Sequence, residues 1–480
     1  MEPITREEYY LAKIAGTYEG NTPEPVTIEE YYLATMAGDY SGNTPQPVTR
    51  LQYYMAKVAG VWDGSIPAPV TRLEYYWAAI ASGEGKVFPP VTREEHFLVL
   101  VADAYSVVLT VVTGNPALLE NSKGNRGLES LTLYGKSTQG SAPSPSYPQE
   151  IESAGQSGEI GVDVYGGNLF DIRKASPWED AYGLQMSLDG EYITVKGVTT
   201  TTSYGNISFR ILGYPVNLYG NRFSMDIVKN VGTSKEYVYT SATENTLALS
   251  VVVDAKAAVE LKFRLMVNAG STALPYEPYK PAQKLIIPTS GGLPGIPVSS
   301  GGNYTDEKSQ QWVADEIDLA KGERVQRIEE YRFTGAEAWN SWGVNKYTEG
   351  ITGFYWYFKN TLSTVQKRIL NTHAVFSDNA WGGREEGTVA VVDLNDKYIT
   401  WSVRNEYLED ISDNNVAIES FKKMLGEINA KMLYCLAEPI RTPLPPETIA
   451  AYKALKTYSP TTTVINDAGA GMSVGYAKMK

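Results

Sequence analysis

Flat aromatic rings beside hydrogen-bonding side chains, on loops that glycine keeps open, are the groups in this sequence best suited to chemistry. That chemistry is sugar binding: the ring covers the apolar face of a pyranose while the polar groups take its hydroxyls. The best such stretch is SDNAWGGREEG, where Trp381 stands between Asn379 and Gly382–Gly383, with Asp378, Arg384, Glu385 and Glu386 alongside. A second, AEAWNSWGVNKY, carries Trp339, Asn340, Trp342 and Asn345, and a third, SPWEDAYG, carries Trp178, Glu179, Asp180 and Tyr182. The plainer reading of each is a tryptophan folded back over a sheet edge. In GFYWYF, Phe354, Trp356 and Phe358 share one strand face and Tyr355 and Tyr357 the other, the pattern of a core with an aromatic interface.

Other chemistries lack their residues. A glycosidase needs two carboxylates facing across a cleft. Asp315, Glu316 and Asp318 instead crowd one expected hairpin, and Glu385 and Glu386 are adjacent. GAGMSVG has no following lysine for a phosphate loop, and DLNDK lacks the glycine and closing glutamate of a calcium loop. His96 and His373 are the only histidines and Cys435 the only cysteine, which rules out a disulfide framework and zinc-finger spacing. His373 reads as a strand histidine and Cys435 as a small buried apolar group. The expectation is a chain that is not an enzyme and uses no cofactor or metal.

A net charge of -13 argues against nucleic acid as a partner and against anionic lipid. The most apolar run, Phe97 to Val112, is too short for a membrane span and is interrupted by Asp103. It reads as a buried helix running into a strand. Met1 leads directly into an acidic repeat, so no signal peptide is expected, and synthesis in a reducing compartment fits the single cysteine.

The elements that must carry these loops begin with a repeat. PITREEYYLAKIAG at Pro3 returns as PVTIEEYYLATMAG, PVTRLQYYMAKVAG, PVTRLEYYWAAIAS and PVTREEHFLVLVAD from Pro25, Pro47, Pro69 and Pro90, a period of about 22 residues. Each copy has a capping box: Thr5, Thr27, Thr49, Thr71 and Thr92 precede Glu8, Glu30, Gln52, Glu74 and Glu95 by three. Gly16, Gly38 and Gly60 stand where a left-handed residue ends a helix. The helices are too short to be stable alone, so their stripes must be buried. The interface candidates are Tyr10, Leu11, Ile14, Tyr32, Leu33, Tyr54, Met55, Tyr76 and Trp77. A core of stacked repeats and an anchor on a symmetric partner both fit this pattern, within a chain or between chains.

Beyond the repeats (1–114) the reading is a strand and Ser/Pro-rich neck (115–160), then a first β-sandwich (161–280). A Pro/Gly-rich linker (281–303) leads to a second sandwich with a hairpin lead-in at Lys321–Gly322 (304–445), and a helix-and-strand tail closes (446–480). In VELKFRLMV the inward set is Val259, Leu261, Phe263, Leu265 and Val267, and the outward set Glu260, Lys262, Arg264 and Met266. An amphipathic helix is expected near 417–428 and another after Pro445. The fold class is mainly β with an α-helical N-terminal repeat region and two antiparallel β-sandwich domains, jelly-roll in type and like carbohydrate-binding modules.

The wording of residues 115–480 resembles tail-associated and minor structural proteins of phages that infect Gram-positive bacteria. The stretches that carry this are ESLTLYGKSTQG with PSYPQEIESAG and GNLF, LMVNAGSTALPYEPY, LPGIPVSSGGNYTDEKSQQWVADEIDLAKG, and AEPIRTPLPPETIAAYKALKTYSPTTTVINDAGAGMSVGY. The resemblance implies a fibre or receptor-binding virion protein, assembled in the host cytoplasm and exposed on the particle. It implies other virion proteins as partners of the repeats, a host cell-surface glycan as ligand and a homo-oligomer, commonly a trimer. A head fibre or capsid decoration without a receptor is the alternative within that class, and a cell-wall glycan hydrolase the alternative outside it.

Overall fold

The computed structural model describes residues 3–479 except 63, 83–89, 106, 178–182, 201–204, 213–220, 232–234, 244–245, 254, 347, 358–362, 364–366, 378–386 and 394–396. The chain divides into two compact units, the repeats (Met1–Thr110) and a β-rich remainder that occupies most of Val111–Tyr476.

Five helices form the repeat unit: α1 (Arg6–Ile14), α2 (Ile28–Met36), α3 (Arg50–Val58), α4 (Arg72–Ser82) and α5 (Arg93–Tyr105). Thr5, Thr27, Thr49, Thr71 and Thr92 each accept from the N–H three residues on, as the capping pattern predicts. Gly16, Gly38 and Gly60 adopt φ of 71°, 78° and 72°, the left-handed turn that lets the chain reverse without a Cβ clash. Tyr10, Leu11, Tyr32, Leu33, Tyr54, Met55, Tyr76 and Trp77 are buried in one continuous core, with Ile14 packed at its edge. The connectors run back along the helices: Tyr32 Oη donates to the Pro45 carbonyl at 2.6 Å, and Tyr10 and Tyr54 make the same bond to Pro23 and Pro67.

The repeats close on themselves. Arginine in the first turn of one helix pairs with the acid in the first turn of the next: Arg6–Glu30 at 2.8 Å, Arg50–Glu74 at 3.4 Å and Arg72–Glu95 at 3.0 Å. Arg93 of the last helix pairs with Glu8 of the first at 2.9 Å, which completes the ring. Between α2 and α3 the pair changes in step: Ile28 replaces the arginine, Gln52 replaces the acid, and Gln52 Nε2 donates to Glu29 Oε1 at 2.7 Å. First turns therefore meet first turns. Lys13, in the last turn of α1, meets Asp39, just past α2, at 2.7 Å, so neighbours run parallel and in register. The stripes are buried against one another within one chain.

The β-rich unit is built on two sheets that share a core. One has strands Gln283–Pro288, Glu159–Gly166, Thr461–Asn466 and Ala117–Glu120 side by side. The other includes Gly471–Met479, Ser130–Tyr134, Glu316–Asp318, Glu323–Arg332 and Lys431–Pro443. Ile160, Val162, Val164, Leu285 and Val464 from the first meet Leu131, Leu133, Ile317, Met472 and Val474 from the second. The stretch 281–303, expected as a linker, is folded into this frame, because Gln283–Pro288 alternates buried Leu285 and Ile287 with exposed partners. The tail is likewise structural: α7 (Pro446–Ala454) places Tyr452 over the same core, where its Oη donates to the Leu128 carbonyl at 2.8 Å. The helix between them in sequence order, α6 (Asn414–Ile428), matches the amphipathic pattern.

Two further β regions are inserted into this frame. The first holds two four-stranded antiparallel sheets drawn from residues 175–269. In its strand Ala258–Ala269 the expected inward residues, Val259 to Val267, are buried. Met266 is buried too, against the alternation, where the strand passes from a half-wet to a fully covered position. The second insertion departs from the expected sandwich. Its five-stranded sheet, in the order Asn340–Val344, Ile351–Tyr357, Lys397–Arg404, Thr388–Asp393, Val375–Phe376, buries Phe354, Ile399, Trp401 and Val403 against α6 through Ala417, Phe421, Met424 and Leu425. A helix takes the place of a second sheet because its apolar stripe supplies the covering layer. The expected hairpin forms, with Gly322 at φ 71° between strands Glu316–Asp318 and Glu323–Arg332.

Candidate glycan-binding surfaces

Two surfaces combine aromatic rings, most of them half-buried, with polar groups. The first is a cleft of about 280 Å³ in the first inserted region. Its walls come from the stretches NLFDIR and PYEPYKP, of which sequence reading used GNLF and LPYEPY only as wording that carries the resemblance. Asn168 joins the two. Its amide donates to the carbonyls of Leu265 and Glu277, and its oxygen accepts from the N–H groups of Phe170 and Val267, so all four hydrogen-bonding positions are used within the protein. This pins the loop and the proline-rich segment to the strand Ala258–Ala269. Tyr276 and Tyr279, each flanked by proline, then line the cleft with Phe170, Asp171, Arg173 and Glu191.

The polar end of the cleft is a fork. Arg173 donates to Asp171 through Nε and Nη2, each at 2.8 Å, and its guanidinium lies 5.7 Å from the Tyr279 ring centroid. Asp171 is buried while Arg173 stays in solvent, so the guanidinium is the charged group the pair presents. Arg264, paired with Asp226, lies 4.1 Å over the Tyr276 ring and fixes its tilt. Burial and the neighbouring Glu191 push the Tyr276 phenol up to about 12, so it stays a hydrogen-bond donor at any physiological pH. Both oxygens of Asp171 accept from Arg173, which holds the carboxylate in place.

The second surface is an aromatic shelf on the outer face of the five-stranded sheet. Trp342 stacks on Tyr355 with centroids 5.5 Å apart and planes 20° from parallel. Tyr398 and Tyr357 meet Tyr355 and each other edge-on at 5.8–5.9 Å. Tyr357 and Tyr398 are register partners on adjacent strands, which places them on one face. Tyr357 is 54% exposed, and Trp342, Tyr355 and Tyr398 are half-buried. The division of GFYWYF into an inward and an outward face is thus observed for Phe354, Trp356, Tyr355 and Tyr357.

The other candidates fall differently. Trp339 is 4% exposed and wedged among Phe333, Trp356 and Phe421, so it has no open face for a sugar. Alternation explains this: Trp339 enters the sheet region from the helix-covered side, Trp342 from the solvent side of a bulge between Ser341 and Gly343. Trp381, Asn379, Arg384, Glu385 and Trp178 lie outside the described residues. Asp315 accepts from the N–H groups of Arg327 and Ile328 at 2.7 and 2.9 Å, Glu316 pairs with Arg327, and Asp318 pairs with Lys321. These acids hold the hairpin together. His373 lies in a turn with its Nδ1 against the Thr372 hydroxyl at 2.7 Å, and Cys435 is buried with its thiol pushed up to about 12. Among the described residues no group of three or more acidic, histidine or cysteine side chains is placed to hold a metal, and no helix is long and apolar enough to cross a membrane.

No protein-family model, curated protein or solved structure matches the chain. Tyr276, Tyr279, Asp171 and Arg173 escaped sequence reading because two segments about a hundred residues apart build the cleft. The available signal was two tyrosines three apart, each fixed by an adjacent proline.

Proposed function

We propose that the chain is a surface-exposed structural protein of a phage of Gram-positive bacteria, and that it attaches to a glycan of the host surface through its β-rich unit. The observation that carries this reading is the Asp171–Arg173 cleft, where aromatic walls and a forked ion pair converge at the scale of a sugar ring. The Trp342–Tyr355 shelf supplies a second apolar platform of the kind sugars stack on. Each contact of this sort is weak, so attachment depends on several copies engaging one surface at once. The repeat unit serves as the element that holds the chain on the particle.

The test is retention of the purified full-length chain on cell wall from a susceptible Gram-positive host. Arg173→Ala and Trp342→Ala, both at solvent-facing positions, should reduce retention. Release of soluble sugar from the wall would instead identify a hydrolase. Absence of both retention and release would leave a decoration without a receptor.

A further inference from the structure

Immediately before each capping threonine stands a β-branched aliphatic residue: Ile4, Val26, Val48, Val70 and Val91. This position ordinarily packs on the side chain five residues on, in the first turns of its own helix. Here the rings of Tyr9, Tyr31 and Tyr53 lie edge-on against Tyr18, Tyr40 and Trp62 instead. The five aliphatic side chains are left 69% to 76% exposed. Their backbone is nevertheless fixed: each N–H donates to the side chain of Glu8, Glu30, Gln52, Glu74 or Glu95 at 2.7–2.9 Å. A single exposed valine needs no explanation. One at the same rigid position of every repeat does.

Because the helices are parallel and the ring is closed, all five lie on the face formed by the helix N-termini, spaced about a pseudo-five-fold axis. We propose that this face docks on a protein assembly with five-fold rotational symmetry, each aliphatic side chain entering an equivalent apolar recess, so that one chain caps five partner subunits. Symmetry selects the occupant: five equivalent contacts from one chain are satisfied together only by five equivalent recesses. A second copy is a poorer fit, since facing rings would set helix N-termini against helix N-termini, and the first-turn acids outnumber the arginines Arg6, Arg50, Arg72 and Arg93 that share the face. Those acids also oppose an anionic membrane.

This inference rests on the virion reading above. The experiment uses particles assembled with the full-length chain, either unchanged, as V26D/V48D/V70D, or as the isosteric V26T/V48T/V70T. Copies per particle are counted by mass spectrometry and located by electron microscopy, and helix content of each free chain is followed by circular dichroism. The unchanged chain should sit on five-fold axes, one copy per five partner subunits. The aspartate variant should fall at least about tenfold in occupancy with unaltered helix content, and the threonine variant should lie between. A chain found on the particle at a site of another symmetry, or an aspartate variant incorporated at the unchanged level, overturns the five-fold docking alone. Absence of the chain from particles overturns the virion reading and the docking with it. A free chain that dimerises and is made monomeric by V26D/V48D/V70D overturns it in favour of self-docking.

Discussion

Arg93 and Glu8 are 85 residues apart in the sequence and 2.9 Å apart in the structure. The pair sits at the seam where the first and last helices share one apolar core, which closes the row of repeats into a ring and removes the exposed terminal faces that repeat arrays otherwise have to cap. Arg93→Ala should open this seam. Hydrogen exchange should then quicken in α1 and α5 while α3 keeps its protection. Uniform loss of protection across all five helices would show that the seam is no weaker point than any other.

The ring core predicts a graded response at one tyrosine. Tyr32→Phe removes only the hydrogen bond to the Pro45 carbonyl and should cost about 1 kcal/mol in denaturant unfolding. Tyr32→Ala also leaves a cavity at a fully buried site and should cost about 3–5 kcal/mol.

The first-turn acids of the ring and Asp315 of the β-rich unit should answer acid in opposite senses. Arg72 and the Val91 N–H hold the Glu95 carboxyl down to about 2, and Glu8, Glu30 and Glu74 are lowered as well. A lowered folded value stabilises fully above the ordinary glutamate range and is lost as pH falls towards that lower value, so the ring should loosen between about pH 4.5 and 2. Asp315 is the reverse case: burial raises it to about 6. Its charging burdens the fold as pH rises from the ordinary aspartate range through about 6, and Asp315→Asn should flatten that part of the stability profile. Thermal melts followed at helix and sheet wavelengths across this range check both.

The repeat, its caps, its buried stripe and the mainly β remainder were legible because each depends on local spacing: Thr5 three before Glu8, Tyr10 beside Leu11, Gly16 at the turn. The pairing of neighbouring repeats was written there too, in the joint change of arginine to Ile28 and acid to Gln52, but it becomes readable only once first turns are known to meet. The organisation of the β unit was not legible. Thr461–Asn466 pairs with Glu159–Gly166 across some three hundred residues, so domains cut along the sequence divide strands that share one sheet. The cleft was hidden for the same reason, and Trp339 and Trp342, three apart in one motif, ended on opposite sides of a sheet.

Trp342→Ala should weaken wall retention about tenfold, the loss of one stacking contact, while leaving the melting temperature within a degree or two, because its ring lies on the solvent side of the sheet. Trp339→Ala should do the opposite: it empties a buried site and should destabilise by about 3–5 kcal/mol. Parallel melts and retention assays separate the two.

The most direct test of the account is calorimetric titration of the full-length chain with purified wall polysaccharide from a susceptible Gram-positive host, beside Arg173→Ala. Saturable heat of binding that falls about tenfold in affinity in a variant with an unchanged melt is the predicted result. Equal binding by both chains, or none by either, would contradict a glycan site at the Asp171–Arg173 cleft.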